Sequence, residues 1–150
     1  MRSRNIGRRK PSYQPERDVQ KSCIQAAQIL FGIKLHRRNT GTFFLKNEQG
    51  KERMVKASET GQADTWGIIP GGRHFEIEIK ATGNKPSEEQ YAWLNSINAL
   101  GGFATYVDSL PKFIGVMKLL LQGAKVGLNM GPTNETPVYT LPNGERVYVG

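Results

Sequence analysis

The chain has 150 residues, one cysteine (Cys23) and a formal net charge of +8. A length near that of one ordinary domain buries enough surface to fold without disulfide or metal, and a lone cysteine excludes an internal disulfide and fits a reducing compartment. No apolar run reaches membrane-spanning length and no basic amphipathic helix stands out, so the basic excess points to a polyanionic partner, most often nucleic acid, rather than to an acidic membrane surface.

The first 14 residues contain Arg2, Arg4, Arg8, Arg9 and Lys10 and no acid. They read as a flexible arm that either lies along phosphates or serves only for solubility. No apolar segment follows, so the arm is not a secretory signal, and a cytoplasmic protein is expected. Residues 15–31 read as a helix, with Val19, Cys23, Ala26, Ala27 and Leu30 recurring at helical spacing, Pro15 in the first turn and Gly32 at the end. His36, Arg37, Arg38 and Asn39 fall in the loop after it. Arg37 and Arg38 are candidate phosphate contacts, and His36 is isolated.

Two strands are expected at 42–46 and 53–56, joined by a turn over 47–50. Two more follow at 63–69 and 74–80, forming a hairpin or near-hairpin across Pro70–Arg73. The second, HFEIEIK, alternates strictly, with Phe75, Ile77 and Ile79 on one face and Glu76, Glu78 and Lys80 on the other. A helix over 88–100 comes next, then a strand at 103–107 and a helix at 111–122. Ser87 and Gln90 fit a capping box. Residues 123–137 read as a linker or ordered loop, and Asn143-Gly144 centres a terminal hairpin that must pack on the core or on a second subunit. This order predicts an α/β fold: a basic arm (1–14), a domain (15–122) with a mixed central sheet flanked by helices, and a linker with a C-terminal β-hairpin (123–150).

The hairpin across 70–73 brings Asp64 towards the Glu78–Lys80 end of its neighbour. Mg²⁺ takes oxygen ligands, usually one or two carboxylates with waters and phosphate oxygens, and carboxylates on two strands hold it rigidly. Lys80 shares the face and can orient an attacking water and stabilise charge developing on a phosphate. Glu16 falls within about 20° of Cys23 on the helical wheel, so a carboxylate occupies the stripe that faces the sheet, with Gln20 one turn on. Its alternative role is favourable electrostatics at the helix N-terminus. The competing reading of Asp64, Glu78 and Lys80 is a solvated strand face; Glu76 is the best candidate for mere solvation. His36 and His74 lack metal-ligand spacing and read as surface residues, His74 alternatively as a DNA contact. Trp66 and Trp93 are either core or stack on unpaired bases.

A lone aspartate followed by Glu-x-Lys on an adjacent strand resembles the PD-(D/E)XK nuclease superfamily. Gly61-Gln62-Ala63-Asp64-Thr65-Trp66-Gly67, Glu76-Ile77-Glu78-Ile79-Lys80, Gly83, Ser87, Gln90 and Gly101-Gly102-Phe103-Ala104 are similar to the running pattern of its VRR-NUC family, from about Glu16 to Leu121. Many relatives have proline before the aspartate; Ala63 stands here, which loses a stiffening residue but no ligand.

The resemblance implies a restriction-endonuclease-like core and cleavage of DNA with Mg²⁺ or Mn²⁺. Asp64, Glu78 and the backbone carbonyl of Ile79 would be metal ligands, Glu16 would sit near the metal, Lys80 would be the catalytic lysine, and Gln90 would face the site. Small stand-alone members of bacterial and phage origin resemble structure-selective nucleases acting on four-way junctions, for which a homodimer is expected; others act on flaps. Arg8, Arg9, Lys10, Arg37, Arg38 and Lys85 are the expected DNA contacts. The alternatives are a flap or end-processing nuclease, or a non-catalytic basic nucleic-acid-binding domain.

Overall fold

A computed structural model describes residues 12–38, 42–56 and 61–149. Arg2, Arg4, Arg8, Arg9, Lys10 and Asn39 lie outside the described residues.

Helix α1 (Glu16–Phe31) starts one residue after Pro15, which stands at the N-cap rather than in the first turn. Val19, Cys23, Ala26 and Ala27 are buried as their spacing predicts, but Leu30 is 56% exposed. The apolar path continues instead into Ile33 and Leu35, after Gly32 turns the chain at φ 64°. That turn is closed by bonds from the Gly32 and Ile33 N–H groups to Gln28 and Ala27.

Four strands form the central sheet in the order β1 (His36–Arg37), β4 (Thr65–Ile68), β5 (His74–Ile79), β6 (Phe103–Val107). β1 occupies a stretch read from sequence as loop. It pairs antiparallel with β4 (His36 opposite Trp66), and β4 pairs antiparallel with β5 (Thr65 opposite Ile77). Gly71 and Gly72 supply the positive φ that the turn between β4 and β5 needs. β5 and β6 are parallel, joined through α2 (Glu88–Ala99), so the sheet is mixed and the protein is α/β.

Helix α1 packs on β5 and on α3 (Leu110–Leu121), α3 on β6, and α2 on β5 and β6. Phe75, Ile77, Ile79, Phe103, Phe113, Met117 and Leu120 form the centre of one core, all fully buried. β5 is buried on both faces, because α2 covers the face that carries Glu76 and Glu78.

The 42–56 segment forms the expected hairpin, β2 (Thr42–Lys46) with β3 (Glu52–Lys56), and residues 44–54 are all exposed. Of the two readings of 123–137, linker or ordered loop, the ordered one is observed: β7 (Lys125–Val126) lies within it, and Asn95 clamps the Met130 backbone from both sides. β7 joins β8 (Tyr139–Thr140) and β9 (Arg146–Val147) in a three-stranded antiparallel sheet. Of the two fates expected for the terminal hairpin, packing on the core is observed: Tyr139 is 2% exposed, stacks on Phe103 and bonds the Thr105 hydroxyl at 2.6 Å. Among the described residues, no helix is long and apolar enough to cross a membrane.

Candidate metal centre

The hairpin register that sets Thr65 opposite Ile77 brings Asp64, one residue further along, beside Glu78. Glu16 enters from the first turn of α1. Glu16, Asp64 and Glu78 each offer a carboxylate oxygen, and the three oxygens lie within 4.8 Å of one another. The expected convergence of two strands and one helix is therefore realised.

Each carboxylate is positioned by its own partners. The Ile79 N–H donates to Asp64 Oδ1 at 3.1 Å, and Gln20 Nε2, buried on α1, donates to Oδ2 at 3.0 Å. Ile79 thus reaches the site through its backbone, while its side chain lies in the core. Gln90 Nε2 donates to Glu78 Oε1 at 3.0 Å, and Lys80 Nζ lies 3.5 Å from the same oxygen. The Gln90 amide oxygen accepts the Ser87 N–H at 2.9 Å, closing the capping box of α2. One amide thus performs both roles left open by the sequence, fixing the helix start and turning its NH₂ towards Glu78.

Glu78 Oε2 is buried and has no hydrogen-bond partner among the described residues. A buried ionised oxygen without a partner is costly, and a cation would satisfy it. The donor set is all carboxylate oxygen, which suits a hard ion such as Mg²⁺ or Mn²⁺ and not the soft metals held by sulfur. Nothing in the set distinguishes one hard ion from another.

Burial pushes the Glu78 carboxyl up to about 8, with repulsion from Asp64 and Glu16 adding to it and Lys80 opposing it. Burial likewise raises Asp64 to about 7, opposed by the Ile79 N–H and reinforced by Glu16. Burial first and Asp64 second hold the Cys23 thiol at about 12, so Cys23 packs as an apolar residue.

The two raised carboxyls have a consequence for stability. Between the ordinary carboxyl range near 4 and these raised values of about 7 and 8, the folded chain holds protons that the unfolded chain has released. Stability is therefore fullest below that window and falls as pH rises through it. The metal-free protein is expected to melt at lower temperature at pH 8 than at pH 5.5, more steeply than Asp64→Asn. Mn²⁺ should raise the melting point more at pH 8 than at pH 5.5, because it competes with protons for the site. Calorimetric scans at the two pH values check both; equal Mn²⁺ shifts would contradict the coupling.

Glu76 corrects the sequence reading. It is 1% exposed, not solvated. Its Oε1 accepts from Trp93 Nε1 at 3.0 Å and pairs with Arg38 Nη1, and its Oε2 lies 2.9 Å from His74 Nε2. Arg38, expected at phosphates, also donates to the Ala63 carbonyl at 2.9 Å and is committed to this buried network. The network holds the residue before Asp64 and ties β5 to α2. Trp93 is accordingly part of the packing, the first of the two roles its sequence reading left open.

Arg37 is exposed. Lys85 is exposed as well, with its ammonium 5.7 Å from the Tyr106 ring centre, and it lines a cavity of about 180 Å³ with Asp108 and Lys112; Glu16, Asp64 and Glu78 are not among that cavity's lining. No protein-family model matches the chain, and no curated protein matches it.

Proposed function

We propose that the protein is a metal-dependent, structure-selective DNA endonuclease with a restriction-endonuclease-like core of the VRR-NUC kind. The observation that carries this reading is Glu78, whose unpartnered Oε2 stands within a three-carboxylate cluster while Lys80 lies beside its other oxygen. The net charge of +8 supports a polyanionic substrate.

Asp64 and Glu78, with Glu16 and the Ile79 backbone beside them, would hold Mg²⁺ or Mn²⁺. Bound there, the ion would polarise the phosphate and lower the pKa of a bound water. Gln20 and the Ile79 N–H keep the Asp64 oxygens aimed at the cluster, and Gln90 does the same for Glu78. Lys80, 14% exposed on its side chain, stands on the same strand face as Glu78. Its ammonium orients the attacking water and stabilises charge developing on the phosphate oxygens.

Branched DNA such as a four-way junction is the proposed substrate. Two symmetric cuts in it call for a homodimer, and sedimentation giving a monomer on the junction would contradict that part. The test of the function is a labelled four-way junction incubated with Mg²⁺ or Mn²⁺. Wild-type protein is expected to cut it, and Asp64→Ala to leave it whole. Cutting by Asp64→Ala at the wild-type rate would overturn the assignment.

A further inference from the structure

His36, Trp66 and His74 lie on β1, β4 and β5, three neighbouring strands. The His36 and Trp66 rings stack at 4.4 Å between centres, inclined by 17°. Trp66 and His74 continue the stack at 6.1 Å and 29°. Trp66 is two residues from Asp64, and His74 is four from Glu78, so the rings share the sheet face of the carboxylates. Helix α2 packs on β5 and β6, and His36, Trp66 and His74 are half-buried. Ile68, on the same face, is 56% exposed.

Trp66 lies between the two histidines, so a further ring can join this stack only at its ends; we infer that the His36 end, on the edge strand β1, is a platform for an unpaired nucleobase next to the bond to be cut. The inference rests on the nuclease reading for its ligand class and extends it to the kind of DNA recognised. Aromatic faces bind bases by stacking, and a base offers its own face only when it has left the duplex stack. The platform is rigid: His74 is tied to Glu76, which Arg38 and Trp93 hold in turn. At about 3.3 Å per residue, Trp66 is about 7 Å along the strand from Asp64. A nucleotide next to a phosphate at the carboxylates can span that distance. The chain's net charge of +8 favours a polyanion over a neutral peptide for this apolar face.

Binding in EDTA, where no cutting occurs, tests the platform. The probes are a labelled 12-nucleotide thymidine strand and a blunt duplex, read by anisotropy. Trp66→Leu and His36→Ala are each expected to weaken binding of the single strand by roughly 5- to 100-fold and to leave the duplex within about two-fold. Equal weakening on both probes, no weakening in a variant that melts as the wild type does, or no single-strand binding by the wild type would overturn the inference. Should both variants fail to fold, the wild-type protein decides: the thymidine strand must shift the proton resonances of the His36 ring, one of two histidines in the chain, and absence of a shift overturns the platform. Cleavage with platform-independent binding would remove this inference and leave the nuclease; platform-dependent binding without cleavage would do the reverse.

Discussion

Lys80→Ala is expected to bind Mn²⁺ and yet cut DNA roughly 10²- to 10³-fold more slowly, the usual cost of losing one preorganised charge at a reacting phosphate. Lys80 is not among the clustered oxygen donors, so its loss leaves the ligand set intact. It does remove the positive charge that opposes the rise of the Glu78 carboxyl. Metal binding by the variant should therefore weaken near neutral pH and recover at pH 8.5, whereas cutting should stay slow at both. That divergence separates a catalytic ammonium from one that merely neutralises Glu78. A variant that recovers its full rate once the metal is restored would place Lys80 in the second role.

Arg38→Ala is expected to cost about 3 kcal/mol of stability, the low end for breaking a buried ion pair. Glu76 is 1% exposed and would lose its guanidinium partner. Trp93 and His74 still reach it, which holds the loss at the low end. Removing both charges, in Arg38→Ala/Glu76→Gln, should be milder than Arg38→Ala alone, because no uncompensated carboxylate is then left inside. Urea unfolding of the three proteins measures this. A loss below about 1 kcal/mol, the range of an exposed pair, would contradict the account of Glu76 as a buried, pair-dependent charge.

The convergence of Asp64 with Glu78 was legible in the sequence because a tight turn at Pro70–Arg73 leaves the two strands little choice of register. Glu16 and Gln20 were legible because helical spacing fixes which residues share a stripe, and α1 packs that stripe on β5. The residues themselves placed Gln90 in a capping box; its facing the site was expected from the family resemblance alone, since direction across to β5 depends on how α2 docks.

Glu76 was misread for a related reason. Alternation in HFEIEIK separates two strand faces but carries no information about what covers each of them. The cover comes from α2 through Trp93 and from Arg38 after β1, both distant in sequence. The pairing of β1 itself spans only His36 and Arg37, too short to give a period. Leu30 kept helical spacing yet lies outside the core, because the apolar path leaves the helix at Gly32 for Ile33 and Leu35. The strand Lys125–Val126 was hidden in a Gly- and Asn-rich stretch whose order depends on Asn95 and on pairing with Tyr139–Thr140.

The central claim is that Glu16, Asp64 and Glu78 form a site for a hard divalent cation. Isothermal titration of Mn²⁺ into metal-free wild-type protein and into Glu78→Gln at pH 8 tests it most directly. Saturable binding with proton release by the wild type, lost or greatly weakened in a folded Glu78→Gln, is the predicted result. No binding by the wild type, or equal binding by both, would contradict it.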